Sequence, residues 1–163
     1  MTSLDVGTPK RDDIHLEMAL EPDVVIAEPS DAAAIVPNTF VGVLTDAKDD
    51  RVRCIVIVPE TAHVFPSGRT PWDAPGGPSM FTSGRVRTLE SHGGHAGFVV
   101  SYRGATHHFA FGKTSPVIAL RPGTRAALVS PHNVFVLATP PTTELTDSVR
   151  SIIVADGSLA LPF

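Results

Sequence analysis

A chain of 163 residues with 42% hydrophobic residues has enough apolar side chains for one core, and wholesale disorder is excluded. A formal net charge of −4 argues against a partner gripped mainly through its phosphates, so no DNA or RNA is expected. The single cysteine, Cys54, excludes an internal disulfide and a Cys-rich zinc site.

Residues 1–12 are polar with Gly and Pro and are expected to form a flexible N-terminal arm. Residues 13–20 then alternate, with Ile14, Leu16, Met18 and Leu20 on one face and His15, Glu17 and Ala19 on the other. Period two predicts a half-buried strand. Glu21-Pro22-Asp23 is a turn and 24–27 a short apolar run, and Pro29, Ser30 and Asp31 punctuate before AIVPNTFVGVL at 34–44. Residues 45–50 read as a charged hairpin loop. The near-continuous apolar run at 51–58 predicts a strand buried on both faces, with Cys54 buried and inert inside it.

Residues 60–80, ETAHVFPSGRTPWDAPGGPSM, hold four prolines, three glycines and the only tryptophan, Trp72. This composition predicts a long loop, an insertion that serves as a lid or as the contact for a protein partner. The segment 81–91 follows, a strand is expected at 98–102, then a turn at Arg103-Gly104 and a returning strand at 105–111. A hairpin of 117–120 and 125–129 is expected around Arg121-Pro122-Gly123-Thr124, and 133–138 is the last clear strand. From 140 the pattern dissolves into a C-terminal arm, 140–163, whose only helical stripe is 144–149. Short strands with turn signals roughly every 8–12 residues imply an all-β barrel or sandwich. No apolar stretch approaches the ~20 residues that span a bilayer, and the polar start is unlike a signal peptide. A cytoplasmic protein (or one inside a host cell, if viral) with no membrane partner is expected.

Chemistry-bearing patterns are sparse. There is no G-x-S-x-G, no phosphate-binding P-loop, no G-x-G-x-x-G and no H-E-x-x-H. His92 and His95, with one of the adjacent His107 and His108 and a further His63 or His132, are the only candidate metal cluster. Neighbours on a strand point to opposite faces, so at most one of His107 and His108 can join. No metal site is expected. Arg85, Arg87, Arg103, Arg121 and Arg125 would line a phosphate pocket if the fold gathers them.

Two segments, AGFVVSYRG and SPVIALRPGTRAALV, resemble the central block of the dUTPase and dCTP deaminase superfamily, which carries AGxID…Y/F-x-G and P-v-x-l-x-pG-x-RiaQlv. The resemblance is most specific over about forty residues and extends more weakly over 13–137. It implies a β-barrel of distorted jelly-roll type over 13–139, interrupted by the insertion at 60–80. It also implies a homotrimer in which residues 140–163 are exchanged. Carried over, Gly97, Phe98 and Val99 match the strand that holds the base, Tyr102 the ring that stacks on the sugar, and Gly104 the turn glycine. Ser83 and Arg85, in Ser83-Gly84-Arg85, are similar to the family's phosphate-contacting RSG in inverted order, and residues 66–69 hold a second copy. Magnesium would accompany only a bound nucleoside triphosphate; no other cofactor is implied.

The family's catalytic Asp falls at Val100 or Ser101, neither of which can act as a base. The deaminase branch's Glu would lie on the strand Thr106-His107-His108-Phe109-Ala110, which has no acid. The Gln after RiA is Ala127, and the tail DGSLALPF keeps only Gly157 and Phe163 of the Gly-rich motif. No catalytic residue is assigned. The expectation is a divergent dUTPase-like domain, from a bacterium or a virus, that binds a deoxynucleotide or a protein partner without hydrolysis. An active diphosphatase or deaminase with a relocated acid, Asp73 or Glu90, is one alternative, and a viral or phage structural β-module is another.

Overall fold

The structure, a computed structural model, describes residues 2–8, 11–18, 22–93, 95–112, 114–128, 133–139, 148–155 and 159–162. Among these residues the regular structure is all strand, apart from two 3₁₀ turns. The strands in chain order are β1 (Thr2–Thr8), β2 (Arg11–Met18), β3 (Asp23–Ser30), β4 (Phe40–Asp46), β5 (Val52–Val58) and β6 (Gly68–Ala74). They continue with β7 (Gly77–His92), β8 (His95–Tyr102), β9 (Ala105–Phe111), β10 (Val117–Pro122), β11 (Val134–Thr139) and β12 (Ser148–Ala155).

β1 and β2 pair antiparallel as a separate two-stranded sheet. The other ten form one mixed sheet in the order β11-β12-β3-β10-β5-β4-β7-β8-β9, with β6 added beside β7. The order does not close on itself. Two pairs, β5 with β10 and β3 with β12, are parallel, and the rest are antiparallel.

β5 shows how the central strands are held. Cys54, Val56 and Val58 enter one hydrophobic cluster with Leu44, Phe81 and Ile118. Val52 and Ile55 enter a second with Val43, Val86 and Phe98. Both faces are apolar because both are covered, as the continuous run at 51–58 predicts. Burial of each large apolar side chain stabilises the fold by roughly 1.5–3 kcal/mol. Burial also pushes the Cys54 thiol up to about 12, which leaves it protonated and unreactive.

Four expectations are corrected. The opening residues, read as a loose arm, contain β1, paired with β2 from Thr2↔Met18 to Thr8↔Arg11. Residues 60–80, read as a loop, contain β6 and the start of β7, joined by a two-residue turn at Pro75-Gly76 with Gly76 at φ 96°. Pro71 is tolerated because β6 pairs on one side only, so its missing N–H costs no ladder bond. The hairpin expected at 117–129 does not form among the described residues. β10 runs between β3 and β5, and after Pro122 the chain leaves the sheet into the 3₁₀ turn Arg125–Ala127. The tail contributes β12, which lies between β11 and β3, with Ile152 and Ile153 fully buried. Most of the stripe at 144–149 lies outside the described residues; Val149 belongs to β12.

Candidate ligand-binding site between β6 and β8

β7 has 16 residues, more than a single neighbour spans. β4 lies along one edge, from Asp46↔Ser79 to Phe40↔Arg85. Ser83 also pairs with Gly68, and Arg85 also pairs with Ser101. A ladder residue has only two edges, so β6 and β8 must share the second edge of β7, one after the other. Gly84 sits at the changeover, where the carbonyl of Ser101 occupies the space a Cβ would need. Only glycine permits so close a crossing.

Two strand ends meeting on one edge leave a crevice. It forms a cavity of about 420 Å³ bounded by the approach to β6, by β7, by the β8–β9 hairpin and by Leu137 and Arg150 of the C-terminal strands. An aromatic cluster lies on its inner side: Phe65 and Trp72 are 4.7 and 4.9 Å from Phe81 between ring centroids. Half-buried Tyr102 and the guanidinium-bearing Arg69, Arg103 and Arg150 complete it, and no Asp or Glu is among the lining residues. The volume lies in the range of small-molecule sites, roughly 300–1,000 Å³.

The hairpin tip that carries Tyr102 is a two-residue turn. Tyr102 pairs with Ala105, while Arg103 and Gly104 lie at φ 45° and φ 80°. Two successive positive φ values define a type I′ turn, whose twist matches the flanking strands. Gly104 adopts this conformation freely, but Arg103 does so at a cost of about 1 kcal/mol or more.

Arg69 is fixed from behind. Its Nη2 donates to Asp50 Oδ1 at 2.7 Å and its Nη1 to Thr82 Oγ1 at 2.8 Å. Asp50 also accepts from Thr45 Oγ1 at 3.0 Å and pairs with His107 Nε2 at 2.6 Å. Burial, the largest single influence on Asp50, pushes its carboxyl up. The hydrogen bonds from Arg69, His107 and Thr45 and the charge of Arg69 outweigh it and hold the group below its ordinary value. The network ties the β4–β5 turn to β6, β7 and β9.

The expected site residues divide into two groups. Ser83 and Tyr102 line the cavity, and Tyr102, Arg85 and Gly104 line an adjoining open groove. Gly97, Phe98 and Val99 line neither. They lie in the middle of β8 with β7 on one edge and β9 on the other, so their backbone groups are committed to the sheet. Phe98 is fully buried, with ring centroids 5.7 and 5.4 Å from Phe109 and Phe111. Gly97 is required by packing, since a Cβ there would stand 2.7 Å from the Phe109 carbonyl oxygen.

Phe65, Arg69, Trp72 and Arg150 were not singled out as ligand contacts in the sequence, and the repeated Ser-Gly-Arg was their one signal. The two copies, 67–69 and 83–85, prove to be neighbours: Gly68 pairs with Ser83, whose Oγ donates to the Pro66 carbonyl. Asp73 and Glu90 line neither concavity; Glu90 faces His108 Nδ1 at 3.4 Å. His107 and His108 do take separate partners, Asp50 and Glu90. Among the described residues no group of three potential metal ligands converges, and no helix is long and apolar enough to cross a membrane. His132 lies outside the described residues.

No family model, no curated protein and no solved structure matches the chain.

Proposed function

We propose that the chain is a binding domain for a ring-bearing anionic ligand of the deoxynucleotide class, and that it does not hydrolyse what it binds. The observation that carries this reading is the composition of the cavity: aromatic rings and three arginines in one concavity, with no carboxylate among the lining residues. Rings offer a stacking surface for a base or sugar, and guanidinium groups favour a phosphoryl group. Without a carboxylate the lining has no group to activate a water by general-base chemistry. The resemblance of the Tyr102 hairpin to the dUTPase superfamily supports a pyrimidine deoxynucleotide, with magnesium only if a triphosphate is bound. In this reading Tyr102 packs against the ligand, Ser83 sits beside it, and Phe98 supports the hairpin from the core.

The resemblance also implies a homotrimer whose C-terminal residues reach a neighbour. Within this reading the exchanged part lies outside β12, because that strand is flanked by β11 and β3 of its own chain. Light scattering on the purified chain distinguishes a trimer from a monomer.

The test is a thermal-shift and calorimetric screen against dUMP, dUTP, dCTP and dTTP, with and without magnesium, and each hit is assayed for pyrophosphate. A ligand at 100 times its Kd is expected to add about 2.7 kcal/mol, a rise in Tm of several degrees. Tyr102→Ala is expected to weaken binding about tenfold or more, and Phe98→Leu to leave it unchanged. No shift with any nucleotide would overturn the reading, and pyrophosphate release would overturn its non-hydrolytic part.

A further inference from the structure

A second concavity, an open groove of about 460 Å³, adjoins the cavity and shares Ser67, Tyr102, Arg103 and Ala105 with it. Three arginines line it: Arg85 and Arg87 from β7, and Arg103 from the turn. The hydroxyl-bearing Ser67, Ser101 and Thr106 join them, and no Asp or Glu is among the lining residues. Arg85 is already engaged, donating to the Asn38 carbonyl at 2.9 Å and to Glu60 at 3.2 Å, and Glu60 is the carboxylate nearest this charge in the described contacts. Arg87 and Arg103 are exposed and make no ion pair or side-chain hydrogen bond among the described residues.

Both of these arginines sit where the backbone is irregular. In the β7–β8 ladder Val86 pairs with Val100 and Thr88 with Val99, so Arg87 is the extra residue of a β-bulge. Bulges re-aim a side chain. Arg103 is held at φ 45°, where Asn or Gly is the relaxed choice. Two unrelated departures from regular geometry therefore bring two guanidinium groups to one groove, beside a third. Glu60 answers only Arg85, so Arg87 and Arg103 lie together without a counter-charge among the described residues. That arrangement is unfavourable, and a guanidinium fork matches the oxygens of a phosphoryl group.

We propose that this groove is an oxyanion-binding site for a phosphoryl or polyphosphate group, adjoining the aromatic cavity. It rests on the groove's own residues and does not require the cavity to hold a nucleotide. The phosphoryl group comes either from a ligand whose ring fills the cavity or from a free inorganic polyphosphate.

The experiment titrates the full chain with inorganic tripolyphosphate by calorimetry, at low and at elevated salt. The wild type, Arg87→Gln, Arg103→Asn and Trp72→Phe are compared, with Tm and circular dichroism confirming the fold. Tripolyphosphate is expected to bind, and to bind more weakly as salt rises. Each arginine variant is expected to weaken it by about tenfold, and Trp72→Phe, in the cavity but outside the groove, to leave it within about twofold. Competition identifies the source. Displacement of dUTP by tripolyphosphate, with Arg87→Gln weakening dUTP more than dUMP, assigns the groove to the cavity ligand's phosphates. Simultaneous binding of dUTP and tripolyphosphate assigns it to a free anion. Failure of tripolyphosphate to bind, or binding that neither arginine variant alters, would overturn the proposal, whatever the outcome for nucleotides.

Discussion

At the scale of single residues, Arg103 sets backbone strain against its place in the proposed oxyanion site. A type I′ turn favours Asn or Gly at its first position, and the chain places arginine there at φ 45°. Arg103→Asn is expected to raise stability by about 0.5–1 kcal/mol, measured by urea unfolding, while weakening the groove's affinity for oxyanions. A fall in stability would mean that the guanidinium is held by contacts that offset the strain. Gly104 was legible in the sequence because a turn glycine between two alternating runs is a local signal. The role of Gly97 was not, since the constraint on it comes from the Phe109 carbonyl, a residue on another strand. The packing of Phe98 was not legible for a related reason. An apolar residue on a central strand looks the same in sequence whether its face meets a ligand or the core, and here it meets the core.

At the scale of elements, the site depends on the length of β7 and on the way its second edge is shared. Strands with plain alternation or continuous apolar runs, such as β2, β5 and β9, were legible because each carries its own pattern. β6 was hidden by Pro71 and by a largely exposed face, which a one-sided edge strand tolerates. β12 was hidden because its apolar run is short and its partners, β11 and β3, lie elsewhere in the chain. The Asp50 network joins several of these elements and makes its contribution depend on pH. The folded-state carboxyl is held below its ordinary value of 3.8, so its contribution is present above that pH and is lost as pH falls through the lower, folded value. Asp50→Asn keeps a residue that tolerates φ 61° and removes the charge. It is expected to cost about 1 kcal/mol at neutral pH, after allowance for partial exposure, and to flatten the loss of stability below about pH 4. Acid titrations of unfolding followed by circular dichroism check this; parallel curves for the two proteins would contradict it.

At the scale of the whole molecule, the central strands β4, β5 and β7 carry apolar clusters on both faces, and the sheet ends at β11 and β9 without closing. The all-β class was legible from turn spacing alone. The order of the strands was not, because the parallel pairs β5–β10 and β3–β12 join segments far apart in sequence. The arrangement also places the chain's only tryptophan, Trp72, in the lining of the cavity, 4.9 Å from Phe81 and 6.1 Å from Phe135. Its fluorescence therefore reports on occupancy directly. The measurement that bears most directly on the binding reading is a fluorescence titration of the intact chain with dUMP and dUTP, repeated on Tyr102→Ala. A saturable change in Trp72 emission that is lost or shifted about tenfold in the variant is predicted. Emission that stays constant through millimolar nucleotide, or a saturable change identical in the two proteins, would contradict the assignment of this cavity.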